Sequence, residues 1–177
     1  DRPGQVCGLV EHEYEEALAR DEWQERRDAM HRCLRTFADL ELVRSILDAP
    51  AWRWLAIETR GSFALDGARI IAKPDLVWRG EGDRIEIIDW KTGAGPAGPI
   101  DELQLAVYGL YAARAWSADA AQTHAQLVYL STGEVVAHVL DGGTLQDAQT
   151  TVTTSVERMR ALATEMARGE EAFVRTA

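Results

Sequence analysis

The spacing of apolar and polar residues changes period several times along this chain, and each change marks a different kind of element. From about Glu11 to Asp48 the pattern is helical. Met30, Cys33, Leu34, Phe37 and Leu40 recur at three- and four-residue steps, which predicts one apolar stripe. Asp48-Ala49-Pro50 closes that segment, because the residue before a proline resists the α region. Trp54 to Leu65 and Ala68 to Trp78 then read as strands, and Asp66-Gly67 between them predicts a two-residue hairpin turn. A third strand runs from Arg84 through Asp89-Trp90-Lys91. Thr92 to Pro99 is too rich in Gly and Pro to be anything but a loop. It lacks the Gly-Lys-Ser/Thr ending of a phosphate-cradling loop, so that role is rejected.

The helical period returns near Asp101, with Leu103, Ala106, Val107 and Leu110 as the expected buried stripe. Thr123 to Leu130 and Glu134 to Leu140 predict a later hairpin around Ser131-Thr132-Gly133. A last helix is expected from Thr144 to Arg168, with Val152, Val156, Met159 and Leu162 on one side. No repeat, low-complexity tract or internal boundary interrupts this order. It predicts an α/β fold: helices around a sheet of three antiparallel strands plus the later hairpin.

Strand alternation puts chemistry in one place. Asp89 and Lys91 are two residues apart and point to the same face as Ile85 and Ile87. A carboxylate and an ammonium on a mostly apolar face are costly to bury unless they serve each other, a metal or a substrate. The Asp66-Gly67 turn sets Glu58 opposite Asp75. A turn centred on Gly82 sets Asp75 beside Asp89. Glu58, Asp75 and Asp89 then form a row across three neighbouring strands, although opposed like charges destabilise a sheet by up to ~1 kcal/mol. A divalent cation resolves the conflict, and an all-oxygen set suits Mg²⁺ or Mn²⁺ rather than zinc. The bland alternative is a solvated sheet face with incidental acids, which the apolar neighbours Ile85 and Ile87 oppose. Gln104 and Tyr108, four apart on the following helix, share one of its faces.

Composition narrows the setting. The 177 residues, 46% apolar and 27% charged, fit one soluble globular domain with a core that needs no staples. There is no membrane-length apolar run and no signal-peptide pattern, so a cytoplasmic protein is the default. The start at Asp1 suggests a piece of something longer. Cys7 and Cys33 are too few for a disulfide scaffold or a cysteine metal site. A net charge of −10 argues against a nucleic-acid grip spread over the whole surface. About half of that excess lies in residues 1–28, where four arginines face nine acids.

Pro74-Asp75, then Asp89-Trp90-Lys91-Thr92-Gly93, then Gln104-x-x-x-Tyr108 resembles the PD-(D/E)XK nuclease superfamily, and most closely its RecB-like branch. The order helix, three strands, helix, strand, helix is similar as well, so the resemblance spans roughly residues 25–165. It implies a restriction-endonuclease-like core acting as a Mg²⁺-dependent deoxyribonuclease. Asp75 and Asp89 would bind the ion with the backbone carbonyl of Trp90. Lys91 would position or activate the attacking water and offset charge on the phosphorane-like transition state. Gln104 and Tyr108 would contact the substrate strand, and Glu58 would reach the metal through water. DNA is the implied substrate, with a helicase or another domain of a larger repair, recombination or defence protein as the implied neighbour.

Two features depart from the family's pattern. The RecB-like branch usually carries a histidine in a Gly-x-x-x-His-like context on its first helix, and His12 and His31 both lack that context. Some relatives hold an iron–sulfur cluster on one early and three late cysteines. No cysteine follows Cys33, so no cluster is expected. The rival expectations are a nuclease fold that binds DNA or a protein without cutting, and a metal-dependent hydrolase of RNA or nucleotides.

Overall fold

The computed structural model of the protein describes residues 19–93 and 98–176, with side chains as far as residue 167. Helix α1 (Arg20–Asp39) and helix α2 (Glu41–Asp48) replace the one long helix of the sequence reading. The break falls at Leu40, whose extended backbone (φ −62°, ψ 127°) serves both as C-cap of α1 and N-cap of α2. The expected helical turns at residues 11–18 lie outside the described residues.

Among the described residues seven strands follow: β1 (Trp54–Ile57), β2 (Gly61–Leu65), β3 (Ala68–Ala72), β4 (Leu76–Arg79), β5 (Ile85–Lys91), β6 (Thr123–Tyr129) and β7 (Glu134–Val139). Between β5 and β6 runs α3 (Pro99–Ala115), which starts two residues before Asp101 because Pro99 suits the first helical position. Helix α4 (Gly142–Thr176) closes the chain. The main sheet has the order β1-β4-β5-β6-β7. Strands β1, β4 and β5 are mutually antiparallel, β6 runs parallel to β5, and β7 returns antiparallel. This is the mixed central sheet that the sequence predicts.

The two long strands around Asp66-Gly67 are each cut in two. Glu58 takes a left-handed conformation (φ 48°) that turns the chain out of β1. Pro74 separates β3 from β4. The pieces β2 and β3 therefore form a two-stranded sheet of their own, closed by the expected turn with positive φ at Asp66 and Gly67. The registers survive the cuts. Ile57 pairs with Leu76 and Leu76 with Ile88, so a step along each strand brings Glu58 to Asp75 and Asp75 to Asp89. The Glu58 N–H donates to the Asp75 carbonyl at 2.9 Å.

Apolar residues on the two sheet faces build two cores. Ile85, Ile87 and Leu127 pack beneath α3 with Leu105, Ala106 and Ala112. On the other face Leu76, Trp78, Ile88 and Val128 pack against Ile46 of α2. Helix α3 buries Ala106 and Leu110 as expected, and Leu105, Tyr108 and Ala112 with them, while Leu103 and Val107 are only half-buried. The stripe expected on α1 is largely exposed: Cys33 is buried, but Met30 and Leu34 face solvent. Met159 and Leu162 on α4 are exposed as well.

Candidate active site

Strand β5 is buried from Ile85 to Asp89, as a strand covered on both faces is. Ile85 and Ile87 continue into Asp89 and Lys91 on the α3 side, where Asp89 is only 3% exposed. A carboxylate so deep in a core needs partners. The Lys91 ammonium supplies one, with Nζ 2.9 Å from Asp89 Oδ2. It also lies 2.9 Å from Asp101 Oδ1 and donates to Gln104 Oε1 at 3.1 Å. An ammonium has three N–H bonds, and here each has an acceptor.

Helix α3 supplies two of those acceptors because its first turns stand over the end of β5. Asp101 is tied down in its own right, its Oδ2 accepting from the Gly98 N–H at 3.1 Å. Gln104 and Tyr108 are adjacent as their spacing requires, and Gln104 Nε2 donates to the Tyr108 hydroxyl at 2.8 Å. That hydroxyl donates to the carbonyl of Lys73 at 3.0 Å. A continuous chain of hydrogen bonds thus links Lys91 to the residue before Pro74-Asp75.

Asp75 reaches across the same edge, its Oδ2 accepting the Trp90 N–H at 2.8 Å. The β4–β5 register, carried two residues past Leu76–Ile88, puts Pro74 opposite Trp90. A proline has no N–H, so the ladder bond that would occupy the Trp90 carbonyl cannot form from that side. The proline next to Asp75 therefore keeps a backbone oxygen available beside the two carboxylates.

Electrostatics sharpen the picture. Burial pushes the Asp75 carboxyl above its ordinary pKa; the Trp90 N–H works against this, and the charges of Asp89 and Glu58 add to it. Burial also works against the Lys91 charge, but the hydrogen bonds and charges of Asp101 and Asp89 outweigh it and hold the ammonium above its usual range. Lys91 in turn lowers Asp101. Tyr108 is raised by burial. Glu58 lies close enough to Asp75 to affect it, yet its exposed carboxylate is paired with the Lys73 ammonium, which lowers its pKa.

The structure therefore brings together Asp75, Asp89, Lys91, Gln104, Tyr108 and the Trp90 backbone, with Glu58 at the rim. Sequence reading missed Asp101 and Lys73. Asp101 gave only the signal of an acid in the first turn of a helix, three residues before Gln104. Of the histidines, His31 is exposed on α1, and His124 sits by Glu86 at the far end of β5. His12 and Cys7 lie outside the described residues. Among the described residues no group of three or more His, Cys, Asp and Glu side chains gathers as a ready metal cage. The oxygen set is instead two carboxylates and a carbonyl. It suits a hard divalent ion that completes its shell with water or phosphate, and the Asp75 carboxyl, raised by burial and by the charges of Asp89 and Glu58, fits the same conclusion.

A mixed sheet whose antiparallel edge presents Asp, Asp and Lys at the mouth of a helix-covered face defines a class: α/β proteins of restriction-endonuclease-like architecture. The chain belongs to the PD-(D/E)XK nuclease superfamily, whose family model matches residues 3–176. Members of that superfamily are usually metal-dependent nucleases, acting on nucleic acid with divalent ions such as Mg²⁺ or Mn²⁺. The crystal structure of SSO0001 is similar at 17% identity with a TM-score of 0.38, over 81% of this chain and 68% of that one. No curated protein matches the chain. No helix among the described residues is long and apolar enough to cross a membrane.

Proposed function

We propose that this chain is a Mg²⁺- or Mn²⁺-dependent deoxyribonuclease of the RecB-like branch, hydrolysing DNA phosphodiester bonds. The observation that carries the reading is the Lys91 ammonium, fixed by Asp89, Asp101 and Gln104 where the buried Asp89 and the half-buried Asp75 meet. Asp75, Asp89 and the Trp90 carbonyl would hold the ion. When bound, it would supply Lewis-acid neutralisation of the phosphate and a water acidic enough to attack near neutral pH. The remaining work falls to side chains.

Because its neighbours raise its pKa, Lys91 stays charged and serves as a donor, not as a base. It orients the attacking water and meets negative charge as it grows on the phosphoryl oxygens. Gln104 fixes the Lys91 rotamer, and Tyr108 fixes Gln104. Both border the path of the strand being cut. Glu58, exposed, paired with Lys73 and next to Asp75, would add a further carboxylate to the rim of the metal site, helping through water. On this reading the chain is the cutting module of a repair, recombination or defence system, working beside a helicase or another domain of a larger protein.

The test is cleavage of single- and double-stranded DNA with Mg²⁺ or Mn²⁺. Lys91→Ala and Asp89→Ala should each abolish cutting while circular dichroism stays native. Activity that persists in both variants sinks the site assignment. DNA binding without cutting by the native chain in either metal favours a non-cleaving domain. RNA or nucleotides that outcompete DNA as substrate reassign the substrate class.

A further inference from the structure

We propose that the second half of α1 and the β6–β7 turn form a binding cleft for the phosphodiester backbone of a nucleic-acid strand. The inference rests on the nuclease reading and adds to it the place where the strand is held beside the cut. Residues 29–38 contain Arg32 and Arg35 and no acid, in a chain whose net charge is −10. The two arginines flanking them on α1 and α2 are neutralised locally: Arg27 by Asp28 at 3.0 Å, and Arg44 by Asp39 at 3.7 Å. Arg32 and Arg35 have no carboxylate partner among the described residues. Leaving two guanidinium groups unpaired on an acidic protein sets up complementarity to an anion from outside. Their planar forks suit phosphate oxygens in particular.

These arginines line an open cleft of about 380 Å³ with Thr36, Asp39, Leu40 and Ser131. The Asp39 carboxylate is turned to Arg44, which leaves the arginine side of the cleft positive. The Thr36 hydroxyl adds a neutral donor of the kind that fixes a backbone without reading sequence.

The cleft is tied to the candidate site through backbone. Leu130 N–H donates to the carbonyl of Lys91 at 2.8 Å, and the next residue is Ser131. The Ser131 hydroxyl donates to the Gly93 carbonyl at 3.0 Å, two residues beyond Lys91. Helix α1 is held on the same strand by Phe37, whose ring meets Trp90 edge-on at 5.1 Å between centroids. The cleft and the carboxylates therefore share one rim of the sheet, the end where β5 finishes.

The experiment measures binding of short fluorescent single-stranded DNA and RNA to the full chain in EDTA, where no cutting occurs, between about 50 and 200 mM salt. Arg32→Ala/Arg35→Ala should weaken binding by roughly tenfold per arginine at low salt. It should also make the slope of log K against log salt shallower by ~1.4, about 0.7 for each lost phosphate contact. Arg158→Ala, on an exposed part of α4, should leave both unchanged. Arg35→Lys keeps the charge and should retain the slope, a readout that misfolding of the double alanine variant would not mimic. The relative loss on DNA and RNA tells which backbone the cleft prefers. Native affinity and slope in the double variant, or no binding by the native chain, overturn the proposal. A cleavage arm with Mg²⁺ separates it from the nuclease reading. Arginine-dependent binding without any cutting leaves the cleft and removes the nuclease, whereas cutting with no arginine dependence does the reverse.

Discussion

Lys91 owes its fixed position to three acceptors on two elements, and one of them, Asp101, lies outside the motif that points to the site. Removing the Asp101 charge frees one N–H of the ammonium and loosens its aim. Asp101→Asn should therefore lower kcat by roughly tenfold to a hundredfold with little change in KM. Steady-state kinetics of Asp101→Asn beside the native chain check this. Asp75 makes the opposite kind of prediction. Its folded pKa is raised, so the folded protein holds the proton more tightly than the unfolded chain does. The stabilisation this gives is present below the ordinary value of 3.8 and is lost as pH rises through the raised one. At neutral pH, without metal, Asp75→Asn should then raise Tm by about 2–4 °C, the shift that relief of ~1 kcal/mol of burial cost and like-charge repulsion together gives a domain of this size. Mg²⁺ should raise the Tm of the native chain and leave that of Asp75→Asn nearly unchanged, as binding linkage requires. Asp75, Asp89 and Lys91 could be read from the chain because strand alternation and turn arithmetic are local rules. Asp101 could not, because nothing in a helix start reveals that its first-turn acid reaches back to a strand.

Among the elements, the β2–β3 hairpin shows how far local rules carry. Asp66-Gly67 specified both the turn and the register, and Gly67 adopts the positive φ (70°) that the turn demands. Helix α4 then clamps it. Thr153 donates to Asp66 Oδ2 at 2.6 Å, and Arg160 donates to the Gly67 carbonyl at 3.0 Å. At the other end of the hairpin, a Cβ on Gly61 would collide with the Tyr111 hydroxyl of α3. Gly67→Val should cost ~1–2 kcal/mol, the penalty of a left-handed β-branched residue, and thermal unfolding would show it as a fall of about 2–4 °C per kcal/mol. The splitting of the long strands at Glu58 and Pro74 was not legible, since an extended run does not say which sheet each half will join. The exposed stripe on α1 has a similar cause. Periodicity identifies an amphipathic helix, but what covers its apolar face is settled by packing, and there Cys33 is buried while Met30 and Leu34 are not.

Across the whole molecule, charge and architecture pull in different directions. A net charge of −10 keeps nucleic acid away from most of the surface. Yet β5 ends in a lysine, and α1, packed on that end through Phe37 and Trp90, carries two arginines with no carboxylate partner among the described residues. The sheet order was only partly readable: the antiparallel β1-β4-β5 set followed from two turns, whereas the parallel β5–β6 contact depends on α3 as a crossover. That crossover carries Gln104, Tyr108 and Asp101 back over the end of β5, so the parallel connection is also what completes the site. The central claim is that Asp75, Asp89 and the Trp90 carbonyl form one divalent-metal centre beside Lys91. The most direct measurement is a crystal structure of the protein soaked with Mn²⁺, using the anomalous signal to locate the ion. The account predicts one ion at ~2.0–2.2 Å from an oxygen of Asp75, an oxygen of Asp89 and the Trp90 carbonyl. An ion bound elsewhere, or these three oxygens left without one at saturating Mn²⁺, would contradict it.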